Sequence, residues 1–394
     1  MQIHTCKGFL AGGMAAGIKK NGAKDLGLLY SEVPAAVAGM FTKNLVKAAP
    51  VLLDQQRIQA GSCRAVIVNS GNANCATGPD GLKAATEMAR LAAEALNLAQ
   101  EEVLVASTGV IGEPLPVEKI KAAAGPLAAS LRPDGWMDLA QAIMTTDTVP
   151  KLAARSSTVD GRTFTITAVA KGAGMIRPDM ATLLCFIGTD AKISPADLQS
   201  MLAKAVGASF NRISIDGDTS TNDTVLILGN GKSGANIDTP ERRQVFQKLL
   251  DDLLMELARR LVKDGEGVTK LVEIRVRGAA SDSDAARIVE AVAHSPLVKT
   301  AFFGEDANWG RIAGAAGRAG AQLDPQRLDI YFDRVQMVQN GSGCGKTAEA
   351  KATQVLKQAE FTVTIDLNLG QGRASMLTCD FSVDYVKINA DYRS

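Results

Sequence analysis

The stretch GMIRPDMATLLCF, Gly174 to Phe186, changes character halfway along. Arg177, Pro178 and Asp179 make its first half charged and turn-prone, whereas Leu183 to Phe186 is apolar. Thr182 stands at the seam, directly after the small residue Ala181. A short apolar run bounded by turn residues reads as a buried strand, and threonine favours strands, so the plain reading of Thr182 is a strand start. The second reading is chemical. Inside an intact chain the hydroxyl is a feeble nucleophile with no base at hand. A cut between Ala181 and Thr182 would give Thr182 a free α-amine with a pKa of about 7.7–8.0, able to act as a base near neutral pH. That amine would activate its own hydroxyl, as in enzymes whose nucleophile is an N-terminal threonine. The hydroxyl could make the cut itself, by attacking the preceding carbonyl to form an ester. A small residue at 181 and a glycine-rich approach ease that attack. From the residues alone both readings stand.

The rest of the sequence narrows the chemistry. Only His4 and His294 are present among 394 residues. A Ser-His-Asp hydrolase needs a histidine base and a zinc enzyme usually several imidazoles, so proton transfer here calls for another group. His294 ends the helical pattern DAARIVEAVAH, where the helix dipole favours it. The chain is 46% hydrophobic and 22% charged with net charge +1, which suits a globular protein and gives no electrostatic reason for nucleic acid or an anionic membrane as partner. Charged residues break every apolar run before it could span a bilayer, and MQIHTCKGFL lacks the basic start of a signal peptide. The six cysteines are scattered without a CxxC pair, which reads as free thiols in a cytoplasmic protein.

Along the chain, β-like runs alternate with helical patterns. CRAVIVNSGNANCATG and EEVLVASTGVIGEPLP read as strand then loop, with a helix over about 80–97 between them. VEKIKAAAGPLAASL reads as a helix interrupted at Gly125–Pro126. GWMDLAQAIMTTD is a helix ending in threonines, and RTFTITAVAK a strand. SPADLQSMLAKAVGASF is a helix capped by Ser194. NRISIDGDTSTNDTVLILGNG reads as strand, polar loop, strand, and TPERRQVFQKLLDDLLMELARRLVKDG as a long amphipathic helix. KLVEIRVRGAAS and LVKTAFFG then read as strands, and DSDAARIVEAVAH and WGRIAGAAGRAG as helices. The pattern is α/β in two domains, 1–275 and 276–394.

Two motifs invite other functions. GSGCGKT, Gly341 to Thr347, looks like a phosphate-binding loop, but the first glycine of that pattern should be residue 340, which is Asn340. A Gly-rich turn is the better reading. DGDTSTND, Asp216 to Asp223, has three carboxylates without the order of a calcium loop. A turn bonding its own backbone accounts for it.

KGAGMIRPDMATLL resembles the self-cleavage site of the ornithine acetyltransferase family, the bifunctional proteins of arginine biosynthesis. The likeness covers essentially the whole chain. It includes GIK at Gly17, MFTKN at Met40, AAPV at Ala48, NSGNANCATG at Asn69, STGVIG at Ser107, MTTDTVPK at Met144, SFNRISIDGDTSTNDT at Ser209, DGEGVTK at Asp264, GEDANWGR at Gly304 and the final NADYRS. The resemblance implies cleavage between Ala181 and Thr182, with chains 1–181 and 182–394 and Thr182 as nucleophile. It implies an oxyanion hole from the Thr108 hydroxyl and the Gly109 amide. Substrate contacts would come from Thr145, Thr148, Lys171, Glu266, Asn389 and Ser394; the family often ends in threonine, and Ser394 keeps the hydroxyl. Lys171 suits the carboxylate of an N-acetyl amino acid, and Glu266 suits an ammonium. The implied fold is a layered αββα sandwich with a smaller C-terminal α/β domain. The implied reaction moves acetyl from N2-acetyl-L-ornithine to L-glutamate through acetyl-Thr182. No metal or organic cofactor is implied, with acetyl-CoA an open second donor and α2β2 the implied assembly. The rivals are a self-cleaving amidohydrolase or aminopeptidase and a nucleotide-binding protein built on GSGCGKT.

Overall fold

The computed structural model describes residues 5–177 and 183–391; Ala181, Thr182 and Ser394 lie outside them. The chain divides into two compact units, residues 1–211 with 218–261, and residues 212–217 with 262–394. The expected boundary at 275 falls inside a strand, Leu271–Ala279, whose pairing keeps it whole in the second unit.

The first unit is built on one eight-stranded sheet: β1 (Phe9–Met14), β2 (Leu26–Phe41), β3 (Ser62–Asn72), β4 (Val103–Val110), β5 (Lys151–Val159), β6 (Arg162–Lys171), β7 (Leu184–Thr189) and β8 (Thr224–Gly229). The order is β4-β3-β2-β8-β7-β6-β5, with β1 beside β2. β2 is the hinge of this sheet. Its first half pairs with β3 and its second half with β8, with a break in register between Tyr30 and Ala35. The sheet folds across itself there into two leaves. Val66, Val68, Leu104 and Ala106 of one leaf share a core with Val169, Leu184, Phe186 and Leu226 of the other.

Helices cover the outer faces. α1 (Ala49–Arg57), α2 (Gly78–Leu96) and α3 (Val117–Ala129) enclose a second core with Ala65, Ile67, Val103 and Val105. α4 (Trp136–Ile143) joins the inner core through Trp136 and Leu139. α5 (Pro195–Ala208) lies on β2, where Gln199 bonds both backbone groups of Gly39. α6 (Pro240–Lys263) lies on β6, with the rings of Phe246 and Phe164 stacked at 5.8 Å. Helix, sheet, sheet, helix is the expected αββα layering. β3 and β4 are parallel and buried on both faces, which is why they read as unbroken apolar runs. β5 and β6 meet at Asp160–Gly161, both at positive φ, the turn that matches strand twist. Ser194 caps α5 by accepting the Asp197 N–H, as its sequence position predicts.

Two expectations for this unit need correcting. α3 runs through Gly125–Pro126 to Ala129. Pro126 deprives the Ala122 carbonyl of its partner, but both residues are exposed, so water can replace the bond, while Ile120, Ala124 and Leu127 hold the helix on the sheet. NRISI is not a strand: Phe210–Arg212 is a single 3₁₀ turn, and Ile213 makes one isolated bridge to Leu377 within the second unit.

The second unit has a six-stranded sheet in the order β12-β11-β10-β13-β9-β14. In chain order its elements are β9 (Leu271–Ala279), α7 (Asp282–Ala293), α8 (Pro296–Phe303), α9 (Trp309–Gly317), β10 (Asp329–Phe332), β11 (Val335–Gln339), β12 (Ser342–Gly343), α10 (Lys346–Leu356), β13 (Glu360–Asp366), β14 (Gly372–Cys379) and α11 (Val383–Ala390). LVKTAFFG, read as a strand, is α8. Pro296 sits in its first turn, and Val298, Ala301 and Phe302 are buried at the three-to-four spacing of a helix face. GSGCGKT spans β12 and the start of α10, with Gly345 at φ +85°.

Candidate active site

Ser107, Thr108 and Gly109 stand near the end of β4, just before Val110, with Thr108 buried. Gly109 pairs with Gly71 of β3 and has φ +134°. A Cβ there would lie 2.4 Å from the Gly71 carbonyl carbon and 2.5 Å from the Asn72 nitrogen, so only glycine fits. Asn222 pins this edge to the other leaf: its amide donates to the carbonyls of Ala73 (2.6 Å) and Ser107 (2.8 Å). Ser107 in turn donates to Asn69 Oδ1 at 2.6 Å.

Lys171, the last residue of β6, is buried and donates to Thr145 Oγ1 at 3.0 Å. Asp147 organises this corner. Its Oδ1 accepts from Lys151 Nζ (2.7 Å) and from the Gly172 amide (2.8 Å), and its Oδ2 accepts from the Thr145 amide (3.1 Å). Burial pushes the Asp147 carboxyl up, but the Lys171 and Lys151 charges and the Gly172 amide outweigh it and hold it below the usual carboxylate range. Lys19 belongs to the same corner. It donates to the carbonyls of Lys24 (2.8 Å) and Met144 (2.6 Å), and its stem lies against Gly71. Burial pulls Lys19 below its ordinary range; Asp25 opposes that and the Lys171 charge adds to it. Three ammonium groups, Lys19, Lys151 and Lys171, thus gather in this corner around two carboxylates, Asp25 and Asp147.

β7 begins beside this corner. Its first residue, Leu184, pairs with Lys171, and Leu183 is gripped on both sides. The Leu183 amide donates to Asp223 Oδ1 at 3.0 Å, and its carbonyl accepts from the Thr224 amide at 3.1 Å. Asp223 is 1% exposed, and its Oδ2 has no hydrogen-bond partner among the described residues. The nearby Thr42 hydroxyl donates to the Ser220 carbonyl at 2.7 Å, and the Thr42 and Ser220 hydroxyls both favour the charged form of Asp223. Burial raises Asp223 well above the usual carboxylate range, against the Leu183 amide and the Lys171 charge.

In the second unit, Glu266 and Asn389 meet. Asn389 Nδ2 donates to Glu266 Oε2 at 2.8 Å and to the Tyr385 carbonyl at 3.0 Å. Gly267, at φ +67°, lets the loop carrying Glu266 press on α11; a Cβ there would fall 2.5 Å from the Tyr385 nitrogen.

Of the residues singled out from sequence, Thr108, Gly109, Thr145 and Lys171 stand on the first unit, and Glu266 with Asn389 on the second. Thr148 is exposed. Ala181, Thr182 and Ser394 fall outside the described residues. Sequence reasoning missed Lys19, Asp147, Asn222 and Asp223. Each lies in a motif quoted above, but none announces a partner locally.

The family model described as the ArgJ family matches residues 10–394. An arginine biosynthesis bifunctional protein ArgJ from Geobacter sulfurreducens is 53% identical over 390 residues, covering 98% of this chain and 99% of the relative. The protein of that name from Syntrophotalea carbinolica is 52% identical over 393 residues, covering 98% and 99%. The crystal structure of ArgJ from Bacillus halodurans is 39% identical with TM-score 0.50, and covers 52% of this chain and 97% of the solved one. The chain belongs to the ArgJ family.

Proposed function

We propose that this chain cuts itself between Ala181 and Thr182 and then transfers acetyl from N2-acetyl-L-ornithine to L-glutamate. The observation that carries the proposal is the meeting, at one end of the αββα unit, of Thr108–Gly109, the Lys171–Thr145 corner and Leu183, the residue that follows Thr182. The Bacillus halodurans comparison points the same way: nearly all of that solved chain spans only about half of this one, as one piece of a cut chain would.

The Thr182 amine takes the proton of its own hydroxyl as the oxygen bonds to the acetyl carbonyl carbon. The Thr108 hydroxyl and the Gly109 amide receive the oxyanion. The amine returns the proton to the departing ornithine nitrogen as the C–N bond breaks. Glutamate then attacks acetyl-Thr182 and leaves as N-acetylglutamate. Lys171, with Thr145, binds the substrate carboxylate; Glu266, held by Asn389, binds an ammonium; Thr148 and Ser394 complete the contacts. The two chains remain together as α2β2 in the cytoplasm. The bifunctional name of the relatives favours acetyl-CoA as a second donor.

The test is the denatured mass of active protein. Two fragments, the larger beginning Thr-Leu-Leu-Cys, are expected, with N-acetylglutamate formed in preference to free acetate. An intact 41.3 kDa chain in an active preparation overturns the mechanism. Acetate as the main product favours the hydrolase reading.

A further inference from the structure

We propose that the second unit binds a small phosphorylated molecule in an arginine-lined cavity on its sheet, on the face opposite the helix-covered core. The site stands independently of the transfer reaction proposed above. Side chains alternate across a strand, and this sheet uses its two faces differently. Ile274 and Val276 of β9, Val363 and Ile365 of β13 and Met376 of β14 belong to the core shared with α7, α9 and α10. The residues between them face the other way. Register places Arg275 between Thr364 and Ser375, and Arg277 beside Asp366. A bulge follows: Arg277 and Gly278 of β9 stand opposite the single residue Arg373 of β14. Gly278 has φ +68°, and a Cβ there would lie 2.4 Å from Asp366 Oδ1. Bulges re-aim side chains, and this one sets Arg373 level with Arg277. Segment 212–217 supplies a fourth guanidinium. Ile213 bridges to Leu377, and the Ser214 amide donates to the Leu377 carbonyl at 2.9 Å, which holds Arg212 beside β14.

Arg212, Arg275, Arg277 and Arg373 line one cavity of about 450 Å³, with the hydroxyl residues Thr364 and Ser375 and one acid, Asp282. That volume lies within the roughly 300–1,000 Å³ of small-molecule sites. Like charges brought together on one sheet face repel, so the arrangement calls for an anion. Carboxylates meet only part of the demand. Arg275 donates to Glu273 at 2.7 Å and Arg277 to Asp366 at 2.6 Å, each through one nitrogen of a group with five N–H donors. Arg212 and Arg373 have no side-chain hydrogen bond or ion pair among the described residues. Asp282 Oδ1 accepts the Arg373 amide at 2.8 Å, so this acid holds the bulged backbone. Guanidinium forks match phosphate oxygens two at a time. Donors here arrive from β9, from β14 and from segment 212–217. A tetrahedral dianion presents oxygens to all three directions, whereas a planar, singly charged carboxylate does not. The hydroxyls of Thr364 and Ser375 supply neutral donors on either side of Arg275.

Isothermal titration of the full-length chain with inorganic pyrophosphate, ADP and succinate tests the site. Pyrophosphate should saturate a single site with Kd below about 1 mM. Arg212→Met and Arg373→Met keep the apolar stem and should each weaken pyrophosphate about tenfold or more. Asp282→Asn keeps an oxygen for the Arg373 amide and removes a negative charge from the cavity wall. It should tighten pyrophosphate about threefold, a gain that a misfolded variant cannot give. ADP binding tighter than pyrophosphate supports the site with a nucleotide as its source of phosphate; equal or weaker binding supports it with a phosphate group read alone. Succinate binding as tightly as pyrophosphate overturns the assignment to phosphate. No saturable binding up to about 10 mM, or pyrophosphate affinity unchanged within about twofold in both arginine variants, overturns the site itself.

Discussion

Asp147→Asn is the substitution that should expose how the cationic corner is held. Asp147 and Lys151 are both buried, and their ion pair is 2.7 Å long with essentially no side-chain exposure. Removing the negative charge breaks a buried ion pair, which typically costs about 3–5 kcal/mol. Spread over a unit of this size, that lowers the melting temperature by roughly 2–4 °C per kcal/mol, so a loss of about 10 °C is expected. Asp147 also holds the amides of Thr145 and Gly172, which flank the Lys171 contact, so affinity for acetylornithine should fall with stability. The pH dependence has a definite sign. The folded-state pKa of Asp147 is depressed, so its contribution is present above the unfolded carboxylate pKa of about 3.9 and is lost as pH falls through the lower folded value. The wild type should therefore lose more stability than Asp147→Asn as pH falls below about 4. Differential scanning calorimetry at several pH values, with steady-state kinetics at neutral pH, reads all of this. A variant within about 1 kcal/mol of wild type and with unchanged KM would refute the reasoning.

Gly109→Ala forces a side chain into φ +134° and into backbone at 2.4 Å, so it should cost about 3 kcal/mol or more and lower kcat about a hundredfold. Thermal melts and turnover check both. Lys171→Met keeps the stem and removes the charge; KM for acetylornithine should rise by roughly 30-fold with a smaller effect on kcat. Ellman titration of the native enzyme should find one fast thiol, Cys344, because the other five cysteines are buried, and all six after denaturation. For Cys6, Cys63 and Cys185, burial also raises the thiol, to about 12 for Cys6, so these should stay silent up to pH 9.

The layered α/β architecture was legible where local chemistry is decisive. Ser194 starts α5, unbroken apolar runs mark the parallel β3–β4 pair, and Asn97 stops α2 at φ +52°. The failures share a cause. The run around Leu297 to Phe303 fits the period of a strand or a helix face equally well, and only its packing on the second sheet chooses α8. A proline predicts a helix break from its own backbone; at Pro126 the deciding facts are exposure and the neighbours that anchor the turn. The site shows this most clearly. Asp223 looked like one more turn residue because a turn bonds within a few residues, whereas its partner is Leu183, 40 positions away. Asp147 stands among threonines with nothing local to single it out, yet it accepts from the Gly172 amide, 25 positions away. Glu266 and Asn389 are separated by 123 positions. Periodicity reports which face of an element is buried; it says nothing about which distant polar atom completes a pair.

The sheet order bears on the proposed cut before Thr182. β7 and β8 lie after Thr182, and β2 and β6 before it. In the sheet, β7 pairs with β6 from Lys171↔Leu184 to Ile166↔Thr189, and β8 pairs with β2 from Phe41↔Thr224 to Ala36↔Gly229. The strands after the cut are thus inserted between strands from before it, with two antiparallel ladders joining the pieces. Their side chains share the inner core: Leu184, Phe186, Leu226 and Leu228 pack with Val37, Val66 and Val169. Burying a large aliphatic or aromatic side chain is worth about 1.5–3 kcal/mol, and more than half a dozen are shared this way, so neither fragment can leave without exposing the core. Cleavage should free the amine of Thr182 without freeing the fragments. Size-exclusion chromatography under native conditions should give the two fragments in one peak at every protein concentration tested, with separation only in denaturant. Fragments that exchange or separate natively would mean that these ladders do not hold the halves together.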